Sequence, residues 1–344
     1  MSHEINLEKY ELRTDLVDEV IENKKINTIK TDIEEIDNIK VQNIYLDKEN
    51  SKLINKKVGN YTTIMFDDIT DYDNKEKVKN VFTNELKKII ENLNLKENIS
   101  ALVIGLGNDK STPDSLGPLS VNNIVVTNHL YMLDQLEDGF IPTSAFIPNV
   151  TGVTGIETSN LIKSVVKTVK PSVLIVIDSL ASSSIDRVNK TIQITDTGIH
   201  PGSGVGNSRK EISFETIGIP VIAIGVPTVV DATVIVSDTI NYMQKHYAFN
   251  KKFQNNPMSK LTISSNVNYL KTDINISLED KKELLGLLGN FNDEEIRELI
   301  FEVLNPIGYN LMVTPKEIDF IIEKLSDIIG NGINRALHKK INNI

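Results

Sequence analysis

The stretch VLIVIDSLASSS, residues 173–184, decides the fold. Val173 to Ile177 is short, rich in β-branched side chains and without polar alternation, which is the pattern of a strand buried on both faces. Pro171 precedes the run and Asp178 stops it. Two more stretches of the same kind flank it, SALVIGLG (100–107) and IPVIAIGVP (219–227). Between them lie helical patterns. Residues 74–93 place Val78, Val81, Phe82, Leu86, Ile89, Ile90 and Leu93 on one face. Residues 157–170 form another helix, and residues 231–246 a third, opened by Asp231 as its N-cap. Residues 112–130 read as a loop feeding a helix, and 60–68 and 190–195 as further strands. Strands alternating with helices predict an α/β, doubly wound, mostly parallel sheet flanked by helices. A helical C-terminal part spans about 278–344. Its last helix, 314–329, is predicted to open on a capping box from Thr314, with Pro315 at the first helical position.

The remaining segments are polar. Residues 1–57 are charged and Asn/Lys-rich and read as a flexible or loosely docked leader, and 247–277 as an irregular excursion. The chain of 344 residues has ample length for a core. A net charge of −10 argues against a protein that tracks phosphates along nucleic acid. The absence of cysteine excludes disulfides, thiolate metal sites and a cysteine nucleophile, and fits a reducing compartment. The longest apolar runs fall short of a membrane span, and the N-terminus is too acidic for a secretory signal. The expectation is a cytoplasmic globular protein.

In open α/β sheets, ligands bind at the carboxyl ends of the strands. Three such ends carry unusual residues. GLGNDKSTPDSLGP (105–118) has two glycines and then Asp114. It is not a dinucleotide loop, since Lys110 stands where the third glycine belongs, and it lacks the glycine of a P-loop before Lys110-Ser111. The second end is Asp178 itself. The third is TGIHPGSGVGNSRKEIS (197–213), in which Gly202, Gly204 and Gly206 suit a loop that lines a substrate cleft, with His200 beside them. Gly202-Ser203-Gly204 is not a nucleophile elbow, and H-E-x-x-H is absent. What survives is a carboxylate pair, Asp114 and Asp178. Two acids at close range cannot both ionise, so one can activate water while the other holds a proton. Each acid also has a structural reading, Asp114 as a helix cap and Asp178 bound by the next turn.

Four stretches in order, GLGNDKSTPDSLGP, PNVTGVTGIETSNLI, IDSLASSSIDRVNKTIQITDTGIHPGSGVGNSRKEIS and GVPTVVDATVI, together resemble the spore germination protease family, endopeptidases of small acid-soluble spore proteins. The resemblance runs from about residue 6 to the C-terminus and is densest between 101 and 245. It implies catalysis by Asp114 and Asp178 without a metal or other cofactor, although the two matching acids are metal ligands in the hydrogenase-maturation endopeptidases that the family resembles at a distance. The family pattern often has Ala where Ser115 and Ser179 stand here. The resemblance further implies a zymogen with residues 1–15 as propeptide and 16–344 as one peptidase domain, its core at about 60–246. The self-cleaved bond would be Asp15-Leu16, an acid followed by an apolar residue. It also implies a homotetramer in the forespore or spore core that degrades small acid-soluble spore proteins, with no direct contact to nucleic acid or membrane. Two other readings stay open on the residues: a metal-dependent peptidase of the hydrogenase-maturation type with His200 as third ligand, and a non-enzymatic protein-binding module.

Overall fold

The computed structural model describes residues 14–95, 99–202, 209–253, 274–304 and 311–343. These residues form two compact units, 14–229 with 314–343, and 230–304 with 311–313.

The larger unit opens with helix α1 (Val17–Asn23), a hairpin of β1 (Thr31–Ile36) and β2 (Ile39–Leu46), α2 (Lys48–Ile54), β3 (Gly59–Met65) and α3 (Tyr72–Asn92). Then come β4 (Ala101–Gly105), α4 (Leu116–Asn122), α5 (Asn128–Met132), β5 (Thr143–Phe146), α6 (Thr151–Thr154), α7 (Thr158–Val169), β6 (Val173–Ser182), β7 (Thr191–Thr195), α8 (Phe214–Ile217) and β8 (Val221–Asp231). The smaller unit holds α9 (Ala232–Phe253), α10 (Leu278–Leu285), α11 (Asp293–Leu304) and β9 (Met312–Val313), which pairs with the last two residues of β8. Helix α12 (Ile318–Leu337) closes the larger unit.

The strand order is β1-β2-β3-β7-β8-β6-β4-β5. This sheet is mixed, which corrects the expectation of a mostly parallel one. β4 pairs in parallel with β5 and β6, whereas β1, β2, β3, β7 and β8 form successive antiparallel pairs. Part of the cause lies in the segment read as a leader, and part in β7, which pairs antiparallel with both β3 and β8. Asp37 and Asn38 adopt φ of 53° and 66°, the left-handed pair that a two-residue hairpin turn requires, and they join β1 to β2. Residues 14–57 are therefore structured, and residues 1–13 lie outside the described residues.

Alternation along the strands sends side chains into two cores. Val103, Ile175, Ile177, Ile194 and Ile224 join Phe82, Leu86, Leu325 and Ile329 of α3 and α12 on one face. Leu102, Ile104, Leu174 and Val176 join Ile162 and Val166 of α7 on the other. Phe82 fits against Gly332, where a Cβ would overlap its ring. Helix α3 starts two residues before the predicted position because the Asp71 carboxylate accepts the Asn74 amide at 2.9 Å. Asp231 caps α9 as expected, taking the Thr233 amide at 2.8 Å, and that helix continues to Phe253. Thr314 makes no capping box. Its hydroxyl donates to the Thr228 carbonyl at 2.8 Å, and α12 begins four residues later at Ile318. Among the described residues no helix is long and apolar enough to cross a membrane.

Candidate active site

Strand β6 does not stop at Asp178 as its apolar run suggests, but continues to Ser182. Asp178 follows Leu174 and Val176 on the α7 side of the sheet, at the point where the pairing partner β4 has ended. It is 6% exposed, and one carboxylate oxygen accepts its neighbour Ser179's amide at 3.0 Å.

Asp114 reaches the same place through the loop after β4. A tight 3-10 turn, Thr112–Asp114, precedes α4, and Ser115 rather than Asp114 occupies the N-cap position, so the capping alternative does not hold. Three glycines allow the approach. Gly107, at φ 107°, leaves room for the Asp114 carbonyl. A Cβ on Gly117 would overlap the Leu106 carbonyl and crowd that of Ile177, and one on Gly105 would overlap Gly117. Helix α4 is thereby pressed onto the ends of β4 and β6. The Asn108 amide donates to the Asp114 carbonyl at 3.0 Å, and the Thr228 hydroxyl of β8 pins the Pro113 carbonyl at 2.6 Å.

The electrostatics separate the two acids. Burial raises Asp114 from its ordinary 3.8 to about 6, opposed by the Asn108 amide and the charge of Arg209. Asp178 is raised well above its ordinary 3.8, by burial first and then by the charges of Asp114 and Asp15. Burial and like charge therefore favour the proton on Asp178 over Asp114.

Asp15 completes the arrangement. Its amide donates to the Ala181 carbonyl at 3.1 Å, and its carboxylate accepts the Ala181 amide at 2.9 Å. Residue 15 therefore lies against β6, three positions beyond Asp178. Its own carbonyl accepts the Lys56 ammonium at 3.1 Å and the Gln193 side-chain amide at 3.4 Å. Leu16 is fully buried, and Val17 and Ile21 of α1 pack with Ile44, Leu46 and Tyr61. A cleft of about 440 Å³ opens beside Asp15, lined by Lys56, Gln193, Gly198, His200 and Gly225 among others.

Of the glycine loop, Gly202 turns at φ 74°, while Gly204 and Gly206 lie outside the described residues. The loop is closed by an Ile199–Ile212 bridge, and it is Arg209 whose charge reaches both acids. His200 lies 3.5 Å from Glu211. Among the described residues no three His, Asp or Glu side chains cluster as metal ligands do. His129 and His246 lie on helices, and buried His338 accepts the Ile141 amide at 3.3 Å, as their structural reading expects. Lys56, Gln193 and Arg209 escape a reading of the sequence, because no local pattern marks them.

An α/β sheet carrying two neighbouring acids whose pKa values are raised unequally, with a peptide segment of the chain laid beside them, has the architecture of a peptidase. The germination protease family model matches residues 5–344. A germination protease of Geobacillus sp. (strain WCH70) is 45% identical, covering 99% of this chain and 97% of its own length. One from Bacillus subtilis (strain 168) is 44% identical, covering 98% and 96%. The chain belongs to the germination protease family and is an endopeptidase. A solved NiFe hydrogenase maturation protease from Thermococcus kodakarensis KOD1 is 16% identical over 39% of this chain and 76% of its own, with a TM-score of 0.25, too distant for any inference about the site.

Proposed function

We infer that the protein degrades small acid-soluble spore proteins during spore germination, and that it is made as a zymogen cut by itself between Asp15 and Leu16. Residues 1–15 are the propeptide and 16–344 the peptidase body, working as a homotetramer in the spore core. Asp114 is the general base and Asp178 the acid. Water adds to the carbonyl carbon before the cut, and its proton passes to ionised Asp114. The π electrons of the carbonyl move onto oxygen. Collapse of that intermediate breaks the C–N bond, and the Asp178 proton goes to the departing nitrogen. Return of the proton from Asp114 to Asp178 restores the pair.

The observation that carries this reading is the seat of Asp15 on Ala181, beside Asp178, whose pKa the Asp15 charge helps to raise. The test is intact-mass spectrometry of the full chain and of Asp114→Asn and Asp178→Asn, alone and mixed with a small acid-soluble spore protein. Loss of residues 1–15 and discrete cuts after acidic residues by the unaltered chain, absent in both variants and indifferent to chelator, are expected. Cleavage that persists in both variants, or none by the unaltered chain, refutes it.

A further inference from the structure

The geometry points to a second catalytic pair: Lys56 and Gln193 hold the carbonyl oxygen before the cut and stabilise it as it becomes an oxyanion. This rests on the reading that Asp15-Leu16 is the self-cleaved bond. Two donors from different elements converge on the Asp15 carbonyl, the Lys56 ammonium at 3.1 Å and the Gln193 side-chain amide at 3.4 Å. A neutral carbonyl is well served by one neutral donor. A cation plus an amide suits an oxygen that acquires a full negative charge, and such donors are worth most where water is excluded.

Both groups are held in place. Gln193 stands on β7, and its side-chain oxygen accepts the Val17 amide at 2.9 Å, which turns its N–H₂ toward the Asp15 carbonyl. Lys56 follows Asn55, whose left-handed φ of 53° ends α2. The Lys56 amide then returns to the Ser51 carbonyl at 3.1 Å, and its own carbonyl accepts the Ser51 hydroxyl at 2.5 Å. The side chain is half-buried, and its ammonium also reaches the Thr14 carbonyl at 3.4 Å. Burial pulls its pKa down, while the charges of Asp15 and Glu19 hold it up. Gln193 spans the bond, with one end on the carbonyl of residue 15 and the other on the amide of residue 17. It fixes the peptide plane whose oxygen must stay put while the carbon is attacked. A substrate protein entering the vacated groove would offer its carbonyl to the same two donors.

The test uses Lys56→Met, Lys56→Arg and Gln193→Leu in the full chain. The rate of loss of residues 1–15 is followed by intact mass. Then kcat and KM of the chain beginning at Leu16 are measured on a synthetic peptide, ELRTDLVDEV, matching residues 11–20. Loss of one oxyanion donor lowers kcat by about 10²–10³-fold with a smaller change in KM. Lys56→Met and Gln193→Leu should each do so, with Lys56→Arg in between. A thioamide placed at the peptide's Asp that precedes Leu, matching residue 15, separates chemistry from folding. Sulfur accepts hydrogen bonds poorly, so it should slow the unaltered enzyme much more than Lys56→Met. Where a variant fails to fold, the thioamide effect on the remaining variant decides. Variants that keep kcat within about threefold, or lose only KM, overturn the inference while the unaltered chain still cuts. Failure of the unaltered chain to cut at 15–16, or cutting by Asp114→Asn and Asp178→Asn, overturns instead the reading beneath it, and this inference with it.

Discussion

Replacing Asp114 by asparagine should stabilise the protein, and only above the acid range. The folded state raises Asp114 from 3.8 to about 6, chiefly by burial. A carboxyl raised on folding binds its proton more tightly in the native state, so stability falls as pH climbs from 3.8 to about 6 and then levels off. The interval is about 2.2 pH units, and at about 1.36 kcal/mol per unit the ionised carboxylate costs about 3 kcal/mol at pH 7–8. Asparagine keeps the shape, carries no charge, and removes that cost. The assay is urea unfolding followed by circular dichroism from pH 3.5 to 8, with both proteins begun at Leu16 so that processing does not distinguish them. For a denaturant slope of roughly 3 kcal/mol per molar, the midpoint should rise by about 1 M at pH 8. At pH 3.5 the two curves should nearly coincide, since Asp114 is then protonated in the folded state and mostly so in the unfolded one. An equal shift at both ends, or a loss of stability at pH 8, would refute the claim that burial of an ionised acid is what raises this group.

The same sign fixes the activity profile. The kcat/KM of the processed enzyme on the 11–20 peptide should rise through about pH 6 as Asp114 ionises, and fall at higher pH as Asp178 loses its proton. A profile that falls through pH 6 would reverse the roles. Gly117→Ala should abolish cleavage even in folded protein, because its methyl overlaps the Leu106 carbonyl and moves the Asp114 turn. Activity within about tenfold of the unaltered chain would contradict it. Arg187→Met should destabilise by about 3–5 kcal/mol, because Asp18 is fully buried and its carboxylate lies 3.0 Å from that guanidinium. Asp18→Asn in the same chain should recover much of the loss in a denaturant melt.

The buried runs of β4, β6 and β8 were legible because two-sided burial leaves no polar positions, and Asp114 and Asp178 were legible as acids at their ends. Strand direction was not. A buried run reads alike in parallel and antiparallel sheets, so the pairing of β7 with β3 and β8 left no mark. The N-terminal hairpin was missed for a different reason. β1 is exposed over Thr31–Glu35 and carries Asp32, Glu34 and Glu35, so it lacks apolar alternation. Charge on an edge strand is what keeps it from pairing with another chain, and that charge resembles a leader when only composition is read. The Asp37-Asn38 turn was the available signal. Lys56 and Gln193 gain their meaning only through contact with residue 15, which lies 41 and 178 positions away in the chain. No local period can encode that.

The bond assigned to self-cleavage divides two kinds of attachment. Upstream of it, residue 15 is held by Ala181, Lys56 and Gln193, all through hydrogen bonds that water can replace. Downstream, Leu16, Val17 and Ile21 are buried at 8% exposure or less, and each such side chain is worth roughly 1.5–3 kcal/mol of apolar burial. The Glu19 carboxylate adds anchors to the Ser182 hydroxyl at 2.5 Å and the Ser183 amide at 2.7 Å. Under the proposed cut, residue 15 would exchange these partners for water, while α1 stays docked on the sheet. The backbone groups of Ala181 and the side chains of Lys56 and Gln193 would then be left for another peptide segment. A segment held upstream by apolar packing would remain as a bound product, and one held downstream only by hydrogen bonds would carry α1 away with it. If the chain cuts there as proposed, the change from polar to apolar attachment between residues 15 and 16 would let the new end at residue 15 exchange its contacts for water while the fold around α1 is preserved.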